Sequence, residues 1–217
     1  TNNSNNCNNA IFKIDFENLN RAPEVNDAFY SAIANNPIKF TYIGTDADRY
    51  DTLYFDVDEG DFAKAGFPGT KPTISYPNKG LRQVQMGFDW TPGCEHVTGD
   101  TIYMRVKLHD LGCPDTKSDS ATIKILVLPP PVIDPPNVLC VVPSSPTSLK
   151  IRWEGADTSN PYFSHFVIVK TDPQGNIFNL GPFGKNDIFE YTDMAVSDYR
   201  NRNYCYYIYA VNICGVK

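Results

Sequence analysis

The stretch TDADRYDTLYFDVDEGD, residues 45–61, crowds Asp46, Asp48, Asp51, Asp56, Asp58, Glu59 and Asp61 into one short segment. Carboxylates two residues apart in a loop can converge on a single hard cation, and calcium takes typically about six to eight oxygen ligands. A solvated acidic loop uses the same residue types, so the run marks a metal site only if the fold closes around it. Paired carboxylates also serve glycoside hydrolysis, but that chemistry needs a cleft, which aspartates in one turn-rich loop do not make.

Other reactive residues are sparse. His96, His109 and His165 are scattered, and no Gly-x-Ser-x-Gly, His-Glu-x-x-His or glycine-rich phosphate loop is present, so no enzyme is expected. The six cysteines, Cys7, Cys94, Cys113, Cys140, Cys205 and Cys214, form no Cys-x-x-Cys pair. That pattern favours disulfides over zinc, and disulfides place a chain outside the cytoplasm. Cys94 and Cys113 flank one strand and its approach and are expected to pair, closing a loop worth about 3 kcal/mol in the chain-entropy picture. Tyr199, Tyr207, Tyr209, Phe178 and Phe183 offer aromatic area for a glycan or a partner protein. Cross-strand pairing on a sheet surface uses the same residues.

The elements that must carry these groups are strands. Ile102, Met104, Val106 and Leu108 alternate with Tyr103, Arg105, Lys107 and His109, the period-two signature of a half-buried strand. The same alternation runs through Ile38–Phe40–Tyr42, Val84–Met86–Phe88–Trp90, Leu149–Ile151–Trp153, Phe166–Ile168 and Tyr204–Tyr206–Ile208–Ala210. Turn residues separate them, as at Asn36–Pro37, Pro77–Gly80 and Asp172–Gly175. Only residues 29–34 and 62–65 suit a helical turn. Many short strands between turns predict an all-β chain of sandwiches. With 217 residues, 41% apolar content and 13 tyrosines the chain has core enough for two domains. A net charge of -6 argues against a nucleic-acid partner, and no apolar run reaches the roughly 20 residues of a membrane span.

The segment LPPPVIDPP, residues 128–136, marks a boundary, because successive prolines donate no ladder hydrogen bonds and favour an extended spacer. Cys113 leads through a polar turn into Ala121–Val127 and then this linker. Cys7 leads likewise into AIFKIDF, residues 10–16, and a linker ending at Pro23. By this repeat, residues 1–20 are expected to close a preceding sandwich, and the partner of Cys7 to lie upstream. The expected domains are residues 21–128 and 134–217, joined by a proline-rich linker at 129–133, in a piece cut at both ends.

Residues 134–217 resemble a fibronectin type III domain, carried by Pro136–Val142, Leu149–Trp153, Phe166–Val169, Tyr204–Asn212 and Gly215, with the last strand lacking. The resemblance implies that Trp153 fills the core and that the Tyr204 hydroxyl makes the corner hydrogen bond. In a sandwich of that topology Cys140 and Cys214 fall at one pole, within reach of a bridge, and Cys205 at the other. The alternative is that Cys140 is a small buried apolar residue.

Residues 21–128 resemble cadherin-like and immunoglobulin-like repeats of bacterial surface proteins, on Asn20–Val25, Thr45–Asp48 and Phe88–Cys94. Cadherins share calcium between the linker before a domain and the Asp-x-Asp after its second strand. That resemblance assigns Glu17, Asn20, Asp46 and Asp48 to a calcium site, although the linker departs from the family's Asp-x-Asn-Asp-Asn. Together with Asp110–Pro114, Tyr204–Tyr206 and Cys214–Gly215, the chain is similar to the stalks of large adhesins of gliding bacteria, which the type IX secretion machinery exports. The resemblance implies a non-catalytic extracellular stalk whose neighbours are further sandwich repeats. A glycan- or protein-binding accessory module of a secreted enzyme is the alternative.

Overall fold

The computed structural model describes residues 20–217 apart from 49, 77–78, 113–114, 155–157 and 186–188. Fourteen strands build it: β1 (Ala28–Ile33), β2 (Ile38–Thr45), β3 (Thr52–Asp58), β4 (Thr73–Ser75), β5 (Gly80–Leu81), β6 (Gln83–Trp90), β7 (Thr101–Asp110), β8 (Ser118–Leu128), β9 (Asn137–Ser145), β10 (Ser148–Glu154), β11 (Phe163–Thr171), β12 (Ile177–Phe183), β13 (Glu190–Asp193) and β14 (Cys205–Asn212). The helical content of the described residues is two 3-10 turns, Gly60–Ala63 and Cys94–His96. The chain is all-β, two immunoglobulin-like sandwiches in tandem.

In the first sandwich a sheet ordered β1-β8-β7-β3-β5 faces one ordered β2-β6-β4. The alternating residues meet between them: Met104, Val106 and Leu108 of β7 with Ile123 and Ile125 of β8, against Met86, Phe88 and Trp90 of β6. Register follows from this burial, because a slip of one residue would turn every apolar side chain to water. Residues 29–34, read from sequence as a helical turn, instead contribute β1, which pairs in parallel with β8 from Ala28↔Ile123 to Ile33↔Leu128. Tyr30 stacks on Phe40 with ring centroids 3.8 Å apart, so tertiary packing overrides the local preference.

The second sandwich packs sheet β13-β10-β9 on sheet β12-β11-β14 around Ile151, Trp153, Phe166, Ile168, Ile208 and Ala210. Between the two cores the chain runs through Pro129–Pro131 to Ile133, which is buried in the second. Prolines have no N–H to satisfy but keep their carbonyls. The buried Asn212 amide donates to the carbonyls of Pro130 and Pro131, at 3.1 and 3.2 Å. Its Oδ1 accepts the N–H groups of Cys214 and Val216, each at 3.0 Å, so one side chain holds both the linker and the turn after β14.

That turn delivers Cys214 to Cys94, with an S–S distance of 1.99 Å and Cα atoms 5.3 Å apart. The bridge joins the two sandwiches and corrects both pairings expected from sequence, Cys94 with Cys113 and Cys140 with Cys214. Cys113 itself lies outside the described residues, but its neighbour Gly112 adjoins Asn20 and Asp51, at the end of the first sandwich remote from Cys94. The ten residues of β7 separate the two ends by about 30 Å, whereas bridged Cα atoms lie within about 7 Å. Cys214 leaves β14 toward the first sandwich, and Cys140, opposite Arg152 on β9, keeps a free thiol.

Candidate metal site

The end of the first sandwich remote from the bridge gathers the acidic residues. β2 delivers Asp46, the turn after it Asp48, the approach to β3 Asp51, and β7 ends on Asp110, opposite Leu53 of β3. Asn20 lies over them, its carbonyl accepting the Lys117 ammonium and its amide donating to the Asp115 carbonyl. One carboxylate oxygen from each of Asp46, Asp48 and Asp51 lies within 4.8 Å of the others, about twice a calcium–oxygen distance and so the span of ligands around one such ion.

Part of each group is committed to the protein. Asp46 Oδ1 accepts the Asp48 N–H at 2.8 Å, Asp48 Oδ2 accepts the Arg21 N–H at 2.5 Å, and Asp110 Oδ1 accepts the Lys117 N–H at 2.6 Å. What remains is unusual for a buried region. Asn20 Oδ1, Asp46 Oδ2, Asp51 Oδ2 and Asp110 Oδ2 are all buried with no hydrogen-bond partner among the described residues. Asn20 and Asp46 are each 5% exposed and Asp110 is fully buried. An unpaired buried oxygen costs about 1–3 kcal/mol, more when charged, so four together describe a site short of positive charge.

The electrostatics agree. Burial, and then the charges of Asp48 and Asp110, push the Asp46 carboxyl above its ordinary value, against the lowering effect of the Asp48 N–H. Burial raises Asp51 too, with Asp46, Asp110 and Asp48 adding to it. Gly112 closes the other wall: a Cβ there would come within 2.4 Å of the Asn20 amide nitrogen and 2.6 Å of Asp51 Oδ2. The donor set is all oxygen, without histidine or thiolate, which suits a hard cation.

Of the residues assigned to calcium by resemblance, Asn20, Asp46 and Asp48 are brought together here, and Glu17 lies outside the described residues. Asp51 joins Asp46 and Asp48 in the cluster, and Asp110 stands beside it, its charge acting on both Asp46 and Asp51. Asp58 and Asp61 do not join it: Asp58 caps the Gly60 N–H, while Asp61 pairs with Lys64 at 2.6 Å and accepts the Tyr103 N–H.

The chain matches no family model and no curated protein. Among solved structures it is similar to a run of titin domains, at 15% identity and a TM-score of 0.36 over 88% of this chain and 58% of that one. It is also similar to the sialic acid binding region of a Streptococcus sanguinis adhesin, at 12% identity and a TM-score of 0.42 over 75% of this chain and 47% of that one. A third likeness is to the titin domains z1z2 in complex with telethonin, at 11% identity and a TM-score of 0.42 over 89% of this chain and 95% of that one. The chain spans about half the length of the first two. These are likenesses of β-sandwich fold.

The bridge has its own supporting residues. His96, buried against Trp90 and Phe67, accepts the Gly93 N–H through Nδ1 and contacts the Pro68 carbonyl through Nε2 at 2.8 Å. These contacts pin the 3-10 turn that carries Cys94. From the other side Asn35 reaches Cys94 Sγ at 3.2 Å, and Asn36 donates to the Tyr162 hydroxyl across the joint.

In the second sandwich Trp153 lies buried beside Phe166, Phe183 and Phe189. Tyr204 donates its hydroxyl to the Ser197 carbonyl at 3.0 Å and accepts the Ser197 N–H at 3.1 Å. The aromatic patch expected from sequence divides: Phe183 packs on Trp153 and Tyr191, while Tyr207 and Tyr209 stay on the sheet surface with centroids 6.2 Å apart. Phe178 instead lines a cavity of about 410 Å³ with Leu180, Tyr191, Met194, Arg202 and Tyr204.

The same cavity is lined by a buried ion pair that sequence reading missed. Lys170 meets Asp193 Oδ2 at 2.6 Å and donates to the Ala195 carbonyl at 2.6 Å, and the Tyr206 hydroxyl donates to the same carboxylate at 2.7 Å. Burial alone would raise Asp193, but the hydrogen bonds from Lys170, Tyr206 and the Ala195 N–H hold it below its ordinary value. Pairing of this quality satisfies both charges and closes the corner rather than equipping it for catalysis.

Proposed function

We propose that this chain is a non-catalytic spacer from a large bacterial cell-surface adhesin, with calcium bound at the end of its first sandwich. The observation that carries the reading is the asymmetry of that sandwich: one end holds unpaired buried oxygens, the other is covalently fastened to the next module. A module built to be stacked needs fixed ends, and both devices fix ends. Asp46, Asp48 and Asp51 hold the ion with Asn20 over them and Asp110 beside them, and Glu17 belongs with them by the cadherin resemblance. The disulfide suits an extracellular location. Residue resemblance alone supports the finer assignment, which is a cadherin-like and fibronectin type III stalk of a gliding-motility adhesin, exported by the type IX machinery and flanked by further repeats.

The cavity beside Phe178 and Arg202 favours the second reading, a glycan-binding accessory module, because aromatic and cationic side chains meet there over a concave surface. A glycan array probed with this chain separates the two. The spacer reading expects no saturable binding. Binding that is lost in Arg202→Ala and Met194→Ala would replace it with the module reading.

A further inference from the structure

We infer that the Cys94–Cys214 bridge is an extension limiter: it removes residues 95–213 from the path that carries tension along the chain. The two sulfurs are separated by 120 positions in sequence but joined directly, so the intervening chain is a closed loop. A pull applied at Asn20 and Lys217 runs from Asn20 to Cys94, crosses the bridge, and leaves through the last residues. Along the covalent chain it never passes through β7 to β14. Those strands include every described strand of the second sandwich and, in the first sandwich's larger sheet, the central strand β7 with its neighbour β8. They can unfold thermally, but their unfolding adds no length, so tension does no work on it.

The path that remains is itself well fastened. It enters at the acidic end, where Asn20 stands among the unpaired oxygens and Glu24 exchanges backbone hydrogen bonds with Thr45, at 2.7 and 3.1 Å. It leaves at the opposite end, where the Asn35 N–H donates to the Pro92 carbonyl beside Cys94. Between these ends β1 lies parallel to β8 over six residue pairs. Tension between the two ends loads that ladder along its length, so its bonds must give together rather than one after another. Forced lengthening is therefore governed by a single unfolding barrier of the first sandwich.

The stored length is large. At about 3.3–3.6 Å per residue, the 120-position loop withholds about 400 Å, against about 250 Å available between Asn20 and Cys94. The limiter gives a purpose to details the spacer reading leaves idle: the buried His96 that pins the Cys94 turn, and the Asn212 side chain that aims Cys214. It rests on that reading for its biological use, but its physical content does not depend on what the parent binds.

Optical tweezers with handles on the two ends of the oxidised chain test it. Unfolding should add about 220 Å, the contour of about 250 Å less the folded span of about 30 Å, with no second-sandwich event. Perfusing a dithiol reductant, which converts the bridge to two thiols and becomes a cyclic disulfide itself, should then add about 400 Å to the same molecule. The double variant Cys94→Ser, Cys214→Ser should give the full length without reductant. Because the wild-type chain is mounted folded, the comparison before and after reduction stands even if the variant folds poorly. Full extension of the oxidised chain, or non-reducing peptide mapping that shows Cys94 and Cys214 as thiols, would overturn the limiter. A glycan-array signal would overturn the spacer reading and leave the limiter intact.

Discussion

Calcium should raise the melting temperature of the first sandwich, and Asp46→Asn should abolish the rise. Extracellular calcium modules bind with dissociation constants of about 10⁻⁴–10⁻³ M, so about 10 mM free ion contributes roughly 1.4–2.7 kcal/mol by mass action. For a domain of about 100 residues that is a rise of roughly 5–10 °C. The variant keeps the shape of Asp46 but replaces a charged ligand with an amide. The pH dependence fixes the sign further. Asp46 and Asp51 are raised above the ordinary 3.8, so between that value and their raised ones the folded, metal-free chain holds protons that the unfolded chain has released. Their contribution is favourable at low pH and is lost as pH rises through the raised values, and the proposed calcium would there take the proton's place. In chelator at neutral pH, Asp46→Asn should therefore be at least as stable as the parent, and in calcium less stable. Asp56→Asn, at an exposed β3 position, should leave the response intact. Calorimetry in chelator and in calcium measures all of this. A wild-type shift below about 1 °C at 10 mM calcium would refute the reasoning, since a buried set of ligands that binds nothing at that concentration is not a site.

Two further outcomes follow from the second sandwich and the joint. Lys170→Met should destabilise the second sandwich by about 3–5 kcal/mol, because Asp193 is then left buried and uncompensated, and chemical denaturation would detect it. Since Asp193 is held below 3.8, its stabilising contribution is complete above that value and lost as pH falls through its lowered one, the opposite trend to metal-free Asp46. Asn212→Ala strands the carbonyl of the buried Pro130, at about 1–3 kcal/mol, leaves that of the exposed Pro131 to water, and frees the Cys214 turn. It should slow formation of the Cys94–Cys214 bridge during refolding in a glutathione buffer, followed by acid trapping and non-reducing electrophoresis. An unchanged rate would show that Asn212 does not position the cysteine.

The strands were legible because alternation such as Met104–Val106–Leu108 is a local signal of which face is buried. β1 was not, since Ala28–Ile33 is committed to a strand by β8 and by Tyr30 on Phe40, contacts with partners far along the chain. The metal site divides the same way. Asp46 and Asp48 announce themselves by spacing, and Asp51 belongs to the same acidic run. Asp110 reaches the site only through the pairing of β3 with β7, which no short window contains. The bridge is not legible within either sandwich, because its two cysteines belong to different ones. The decisive contact is between sandwiches, prepared by Asn212 and His96, neither of which carries a distinctive motif. The Lys170–Asp193 pair is silent for a similar reason: its members come from β11 and β13, in different sheets.

The joint also bears on how such a protein can be lengthened over generations. Its parts come from both modules: Asn35 and Cys94 from one, Asn212, Tyr162 and Cys214 from the other. Copying a single sandwich would strand a thiol without its mate and an amide without its carbonyls. If the parent is an array of such modules, as proposed above, its heritable building block is the couple, and growth by duplication should add members in twos.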